Sequence, residues 1–248
     1  MNKFFLNLGS HPLANNYQSI YKKKQVKYTL KLYYNTKTNL VSISKRIPSE
    51  KMFNNEYPYK SSVSKTMRKS FLDLSREIKK RFNPNLLLEI GSNDGALLKN
   101  FDKTKAIGIE PCSNLAKITQ KKGYKTYNHY WNLKLAKYLK NKKNKIDLIY
   151  SANTLTHISD LGDVFKSLLY IMNNNSIVII EDPSLLECIK KVSYDQFYNE
   201  HIYVFSAISL NKLTKKFNLE IFDIKNLTTH GGSLRYYIKK KSNKNIKV

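Results

Sequence analysis

The sequence predicts an α/β protein: a doubly wound sheet, mostly parallel with an antiparallel last strand, preceded by a small irregular N-terminal region. Three observations predict it. Unbroken runs of Ile, Leu and Val at 86–91, 105–110, 146–151 and 176–181 alternate with amphipathic stretches, as doubly buried strands alternate with covering helices. A loop carrying glycines and acids follows the first run, the end of such a sheet where ligands bind. The final run alternates Leu234, Tyr236 and Ile238, the period of a strand with unlike faces.

In chain order, residues 1–60 read as irregular, with short strand-like pieces such as 25–33 in which polar and apolar positions alternate. From Lys65 the period changes: Met67, Phe71, Leu74, Ile78 and Phe82 mark one face of a helix, stopped by Asn83, Pro84 and Asn85. Leu86–Gly91 is the first buried strand, with a helix expected from about Ala96. Lys105–Glu110 is the second strand, and a helix over Asn114–Lys122 ends at Gly123, a natural C-cap. A weak strand at Lys125–Tyr127 precedes a helix at Leu133–Asn141. Ile146–Ser151, a helix over Asp160–Met172 and Ser176–Glu181 follow. Ser206 can cap a helix carrying Leu210, Leu213 and Phe217. Strands at Leu219–Asn226 and Ser233–Lys239 meet at a Gly231-Gly232 turn, the last expected at the sheet edge. The expected division is 1–64, a substrate-side N-terminal region; 65–240, the main domain; and 241–248, a basic tail.

Composition narrows the function. Forty-four Lys and Arg against 18 acids give a net charge of +26, which invites a nucleic-acid reading. Yet only five of those cations are Arg, the residue that forks onto phosphate and guanine, and the lysines are spread along the chain. Asn, Tyr and Ile are abundant while Gly and Pro are scarce, a skew that fits drift in an A/T-rich coding sequence. The charge therefore reads as a solvated basic surface, and nucleic acid is not the expected partner. No run approaches the ~20 apolar residues of a membrane span. Cys112 and Cys188 cannot build a disulfide framework or a four-thiolate zinc site. A cytoplasmic globular protein without membrane contact is expected.

The loop Glu89-Ile90-Gly91-Ser92-Asn93-Asp94-Gly95 lacks a full G-x-G-x-x-G, and nothing resembles a G-K-[ST] phosphate loop. Gly91 and Gly95 would let the backbone approach a ligand. Glu89 and Asp94 disfavour a pyrophosphate and suit a cationic or hydroxyl-rich one. Glu110-Pro111 ends the second strand, where a carboxylate can accept from both ribose hydroxyls of an adenosine. An acidic glycine loop with a strand-end Glu is the pattern of an S-adenosyl-L-methionine site, whose sulfonium and amino group are cationic.

Seven ordered blocks then resemble one family. They are 8–15 (LGSHPLAN), 56–64 (EYPYKSSVS), 89–95 (EIGSNDG), 108–111 (GIEP), 152–160 (ANTLTHISD), 198–201 (YNEH) and 229–235 (THGGSLR). Together they resemble the S-adenosylmethionine-dependent sugar C-methyltransferases, which act on nucleotide-linked 4-keto-6-deoxyhexoses in deoxysugar biosynthesis. The resemblance implies a class I methyltransferase, Rossmann-like domain and carbon methylation beside a ketone: a base removes the proton alpha to the carbonyl, and the enolate attacks the cofactor methyl. It makes His201 the base, suited by an imidazole pKa near 6.5. It has Glu200 orienting or polarising the site, Tyr198 in the same wall, and Tyr59 and His157 near the enolate oxygen. Glu89, Gly91, Ser92, Asn93, Asp94, Gly95, Glu110 and Pro111 would hold the cofactor, with Asn153 near the methyl. His230 and Arg235 either contact substrate or flank a tight hairpin, while His11 and His129 read as structural.

Three departures qualify the resemblance. The family's N-terminal zinc module has two Cys-x-x-Cys pairs; here Asn35 and Thr38 occupy the second and the first would precede Met1, so no metal is expected. The family's His-Glu-His run reads Asn199-Glu200-His201, which excludes a two-histidine relay. The sequence stops soon after the 229–235 block, where the family continues into a C-terminal domain, and a separate chain supplying that domain is a candidate partner. Methylation of oxygen or nitrogen on a small molecule, or a catalytically impaired cofactor-binding remnant, are the competing readings.

Overall fold

A computed structural model describes residues 1–17, 25–44, 46–142 and 144–246. The N-terminal region is more regular than its sequence suggests. β1 (Asn2–His11), β2 (Tyr28–Asn35) and β3 (Leu40–Ile43) form an antiparallel sheet in that order, completed beside β3 by a two-residue strand, Tyr203–Val204, from far along the chain. β1 escapes sequence reading because both its faces are largely exposed, so no apolar period marks it. Leu30, Leu32, Val41 and Ile43 bury the other strands. Asn35 holds the β2–β3 turn by accepting from the Lys37 and Thr38 amides.

A short helix α1 (Ser49–Met52) and an extended strap lead to α2 (Lys65–Arg81). Ser64 caps α2 by accepting from the Met67 amide, and Met67, Phe71, Leu74 and Ile78 form its buried stripe. The second sheet then builds in chain order: β4 (Leu87–Ile90), β5 (Ala106–Ile109), α3 (Ser113–Lys121), β6 (Lys125–Tyr127), α4 (Leu133–Asn141), β7 (Leu148–Ala152), α5 (Leu161–Ile171) and β8 (Ile177–Pro183). α6 (Leu185–Lys191), β9 (Tyr203–Val204), α7 (Ala207–Lys215), β10 (Leu219–Leu227) and β11 (Ser233–Lys240) complete the described chain. The strand order is β10-β11-β8-β7-β4-β5-β6. β4 pairs parallel with both β5 and β7, so the chain reverses its direction of travel across the sheet at β4. Apolar side chains bury both faces, Phe165 and Leu168 of α5 on one and Phe71 and Leu74 of α2 on the other.

Two expectations are corrected. No helix starts at Ala96; a single three-residue helical turn, Leu98–Asn100, stands there. Asn100 donates its side-chain amide to the carbonyls of Ala96 and Leu97, satisfying them without a continuing helix. β11 is not the edge strand. It lies antiparallel between β8 and β10, buried along almost its whole length, and β10 takes the edge. Its Arg235, Tyr237 and Lys239 look like a solvated face in sequence. In the structure they are buried against acids: Arg235 on Glu181 and Glu77, Tyr237 on Glu77, Lys239 on Glu220. Lys239 also donates to the carbonyls of Asn243 and Ile246, folding the start of the tail back onto the sheet. Among the described residues no helix is long and apolar enough to cross a membrane.

Candidate active site

A cavity of about 830 Å³ opens at the carboxyl ends of β4, β5 and β7, at the reversal point of the strand order. The strap and the 195–201 segment form its other walls. Of the residues expected at the site, Glu89, Gly91, Ser92, Asn93, Glu110, Pro111, Asn153, Tyr59, His157, Tyr198, His201 and His230 line it. Asn93, Asn153 and His230 hold positive φ values of 49°, 49° and 51°.

The cofactor half is acidic and incompletely satisfied. Glu110, just past β5, accepts from the Asn93 amide at 2.7 Å and the Cys112 amide at 2.8 Å. Burial raises its pKa and those two amides oppose the rise. Glu89 is buried; desolvation, then Glu110 and Asp94, push its carboxyl well above the usual carboxylate range. Its Oε2, together with Ser92 Oγ, Asn153 Oδ1 and the indole nitrogen of Trp131, is buried without a protein partner. Buried polar atoms are ordinarily satisfied, so these four, with His230 Nε2 a fifth on the same cavity, indicate groups awaiting a polar ligand. Two acids, an amide, a hydroxyl and an indole N–H fit an amino acid and nucleoside bearing a cationic centre.

Four expectations change here. Asp94 does not face the cavity; its carboxylate accepts the amide of Ser62 at 3.2 Å and the Ser62 hydroxyl. Gly91 lines the cavity and Gly95 does not, and at both the missing Cβ makes room for protein. A Cβ on Gly91 (φ +73°) would stand 2.2 Å from Thr154 Oγ1, and one on Gly95 (φ +81°) 2.7 Å from a Thr119 methyl. Arg235 is locked in its buried ion pairs and is not among the residues lining the cavity. Glu200 also turns away: its carboxylate accepts from Asn15 at 2.9 Å and from Tyr57 at 3.1 Å. Only its carbonyl serves the site, by accepting from His157.

That bond helps assemble an imidazole pair. His157 Nδ1 lies 2.8 Å from the Glu200 carbonyl, and His201 Nδ1 lies 2.8 Å from the Gln196 carbonyl. A carbonyl only accepts, so both Nδ1 atoms carry the proton and both Nε2 atoms keep their lone pairs. The rings stand 5.0 Å apart between centroids. The tertiary structure thus restores a second histidine beside His201, drawn from the loop after β7 in place of position 199. Tyr198 places its hydroxyl 2.8 Å from His201 Nε2. Burial lowers the His157 pKa to about 4, and burial followed by the His157 charge puts His201 well below its ordinary value. Burial, then Glu200, raises that of Tyr198. All three are uncharged near neutral pH. His230 keeps an unpartnered Nε2 on the same cavity.

Sequence reasoning missed Phe53, Tyr130, Trp131 and Gln196 as lining residues. Trp131 carried a usable signal: it is the sole Trp and follows the strand at 125–127 at the ligand-binding end of the sheet. The others lie in loops whose place depends on tertiary contacts.

A family model described as a methyltransferase domain matches residues 59–224. The C-methyltransferase NovU of Streptomyces niveus is 27% identical over 175 residues, covering 70% of this chain and 41% of that protein. The chain therefore matches less than half the length of that relative. Among solved structures, a SAM-dependent methyltransferase from Anabaena variabilis superposes with a TM-score of 0.54 at 16% identity, covering 71% of this chain and 86% of that one. The magnesium protoporphyrin IX methyltransferase of Synechocystis, with bound SAH, gives 0.50 at 12% identity, covering 70% and 83%. At these identities the likeness shows the fold, that of the class I methyltransferases.

Proposed function

This chain belongs to the methyltransferase domain family, and from that premise we propose that it methylates a carbon next to a ketone, using S-adenosylmethionine, on a nucleotide-linked deoxysugar. The bound cofactor supplies an electrophilic methyl group. Glu110 and the orphaned atoms of Glu89, Ser92 and Asn153 are the groups that would hold it. The observation that carries the carbon-methylation reading is the Tyr198–His201–His157 cluster on the cavity wall, in which both imidazoles are neutral and the Tyr198 hydroxyl donates to the His201 Nε2 lone pair. His201 Nε2 takes the proton from the carbon alpha to the carbonyl, directly or through the Tyr198 oxygen, and the C–H electron pair becomes the enolate. Once His201 Nε2 holds that proton, the Tyr198 hydroxyl is free to donate to the developing oxyanion, whereas His157, its one ring proton on the Glu200 carbonyl, can only accept.

The cavity also constrains how such an acceptor enters. Glu50, Glu89, Glu110, Asp160, Asp163 and Asp195 line it, and among the described residues no Lys or Arg does. A diphosphate would therefore have to stay at the mouth while the uncharged sugar ring goes in. The test is hydrogen exchange at the sugar carbon. In deuterium oxide, with a nucleotide-linked 4-keto-6-deoxyhexose and no methyl donor, the wild type is expected to wash deuterium into the alpha position. His201→Ala should lose at least about a hundredfold of that rate. Methylation of the sugar with no exchange, or exchange untouched by the substitution, would refute base-generated carbon attack.

A further inference from the structure

The strap between α1 and α2, residues 53–62, has almost no regular structure, yet it supplies Phe53, Tyr57, Tyr59 and Ser61 to the cavity wall. Polar groups on the loops after β4 and β5 hold it. Asn93 accepts the Ser61 amide at 2.9 Å and donates to the Tyr59 carbonyl at 3.1 Å. Asp94 accepts both the amide and the hydroxyl of Ser62. Asn114, at the start of α3, donates to the Tyr57 carbonyl at 2.9 Å, and Ser113 to Asn55 at 2.7 Å. The same loop reaches Glu110, since the Asn93 amide donates to its carboxylate. Glu110, the 93–94 loop, Ser61–Ser62 and the tyrosine wall are thus joined in series.

We propose that Asn93 and Asp94 are positioning residues: a latch that closes the 53–62 strap on the cofactor loop, so that cofactor binding and assembly of the acceptor wall form one coupled equilibrium. The identity of the cofactor rests on the function proposed above; the latch rests on the hydrogen bonds alone. A ligand that settles the 91–95 loop favours the latched strap, and by reciprocity the latched strap tightens that ligand. The strap is anchored by these bonds and by Tyr57, buried against Cys112 and Leu115, and with almost no backbone–backbone pairing its 58–62 end lies toward the low end of local stability, where such coupling is most visible. The latch also explains why an aspartate of the glycine loop faces away from the cavity. Its bonds to Ser62 are charge-assisted, the stronger kind.

Hydrogen exchange by mass spectrometry on the full chain tests this, with S-adenosylhomocysteine as the probe and Ser62→Ala and Ser62→Thr as variants. Without ligand, Ser62→Ala should speed exchange in 53–62 by about tenfold, the scale of one hydrogen bond to a charged group, and Ser62→Thr should restore it. With saturating probe, the wild-type strap should slow by a similar factor. In Ser62→Ala that protection should be largely lost while the β4 and β5 amides stay protected. Unchanged strap exchange in ligand-free Ser62→Ala would overturn the latch. Probe binding that protects β4 and β5 but leaves the wild-type strap unaffected would overturn the coupling. Failure of the probe to bind the wild type at all would overturn the methyltransferase reading and the coupling together, yet leave the ligand-free effect of Ser62→Ala as a separate signature.

Discussion

Replacing Arg235 with Met should unfold this protein more readily and leave its acceptor recognition alone. Arg235 is 3% exposed, with Nε 2.6 Å from Glu181 and Nη1 3.0 Å from Glu77. Glu181 is itself 4% exposed. Burial raises its pKa and Arg235 opposes the rise. Removing one partner of a buried pair strands the other charge, a loss of about 3–5 kcal/mol. Glu77 keeps Lys225 and Tyr237, so most of the damage falls on Glu181. At roughly 2–4 °C per kcal/mol for a chain of this size, Tm should drop by about 6–20 °C. Without Arg235 the folded-state pKa of Glu181 rises further above its unfolded value. Between those two values the native state binds the extra proton, so the variant loses stability as pH rises and recovers it as pH falls from 7 toward 5. Urea titrations at pH 5, 6 and 7 measure this, with Arg235→Met/Glu181→Leu as a partner variant that should regain most of the deficit. A loss below 1 kcal/mol, or one that does not shrink at low pH, would refute this account. A raised acceptor KM in a variant of normal stability would return Arg235 to the substrate site.

Two further outcomes follow from the geometry. Gly91→Ala must place a methyl 2.2 Å from Thr154 Oγ1 at a φ of +73°, so urea unfolding should show a loss above about 2 kcal/mol, of which Thr154→Ala recovers only the steric share; a neutral Gly91→Ala would contradict the close approach. The His157 pKa is pulled down to about 4 by burial, so the unfolded chain takes up that proton first on acidification. Stability should therefore be full above about pH 6.5 and fall toward pH 4, with a shallower acid slope in His157→Gln; equal slopes would place the acid sensitivity elsewhere.

The ligand-binding end of the sheet was legible because its signals are local. Runs such as 86–91 and 176–181 are apolar on both faces, and strand–helix alternation leaves few topologies. Glu110 could be placed because it directly follows a strand. The functions of Asp94, Glu200 and Arg235 were not legible, since a carboxylate or guanidinium reads alike whether it meets a ligand, a serine or another buried charge. Asp94 found Ser62, Glu200 found Asn15 and Tyr57, and Arg235 found Glu181. β11 misled for a related reason: alternation marks two unlike faces, and only packing shows that the polar one is also covered.

The amino-acid order alone determined where most strands and helices of the main domain lie, though not α6, β9 or the single turn at Leu98–Asn100, and that an acidic loop sits at the carboxyl end of the first buried strand, because period and capping act over a few residues. Only the tertiary structure decided that His157 joins His201 and that a strap from the N-terminal region becomes a cavity wall. Those partners are distant in the chain, and sheet topology, which no short-range pattern encodes, brings them together.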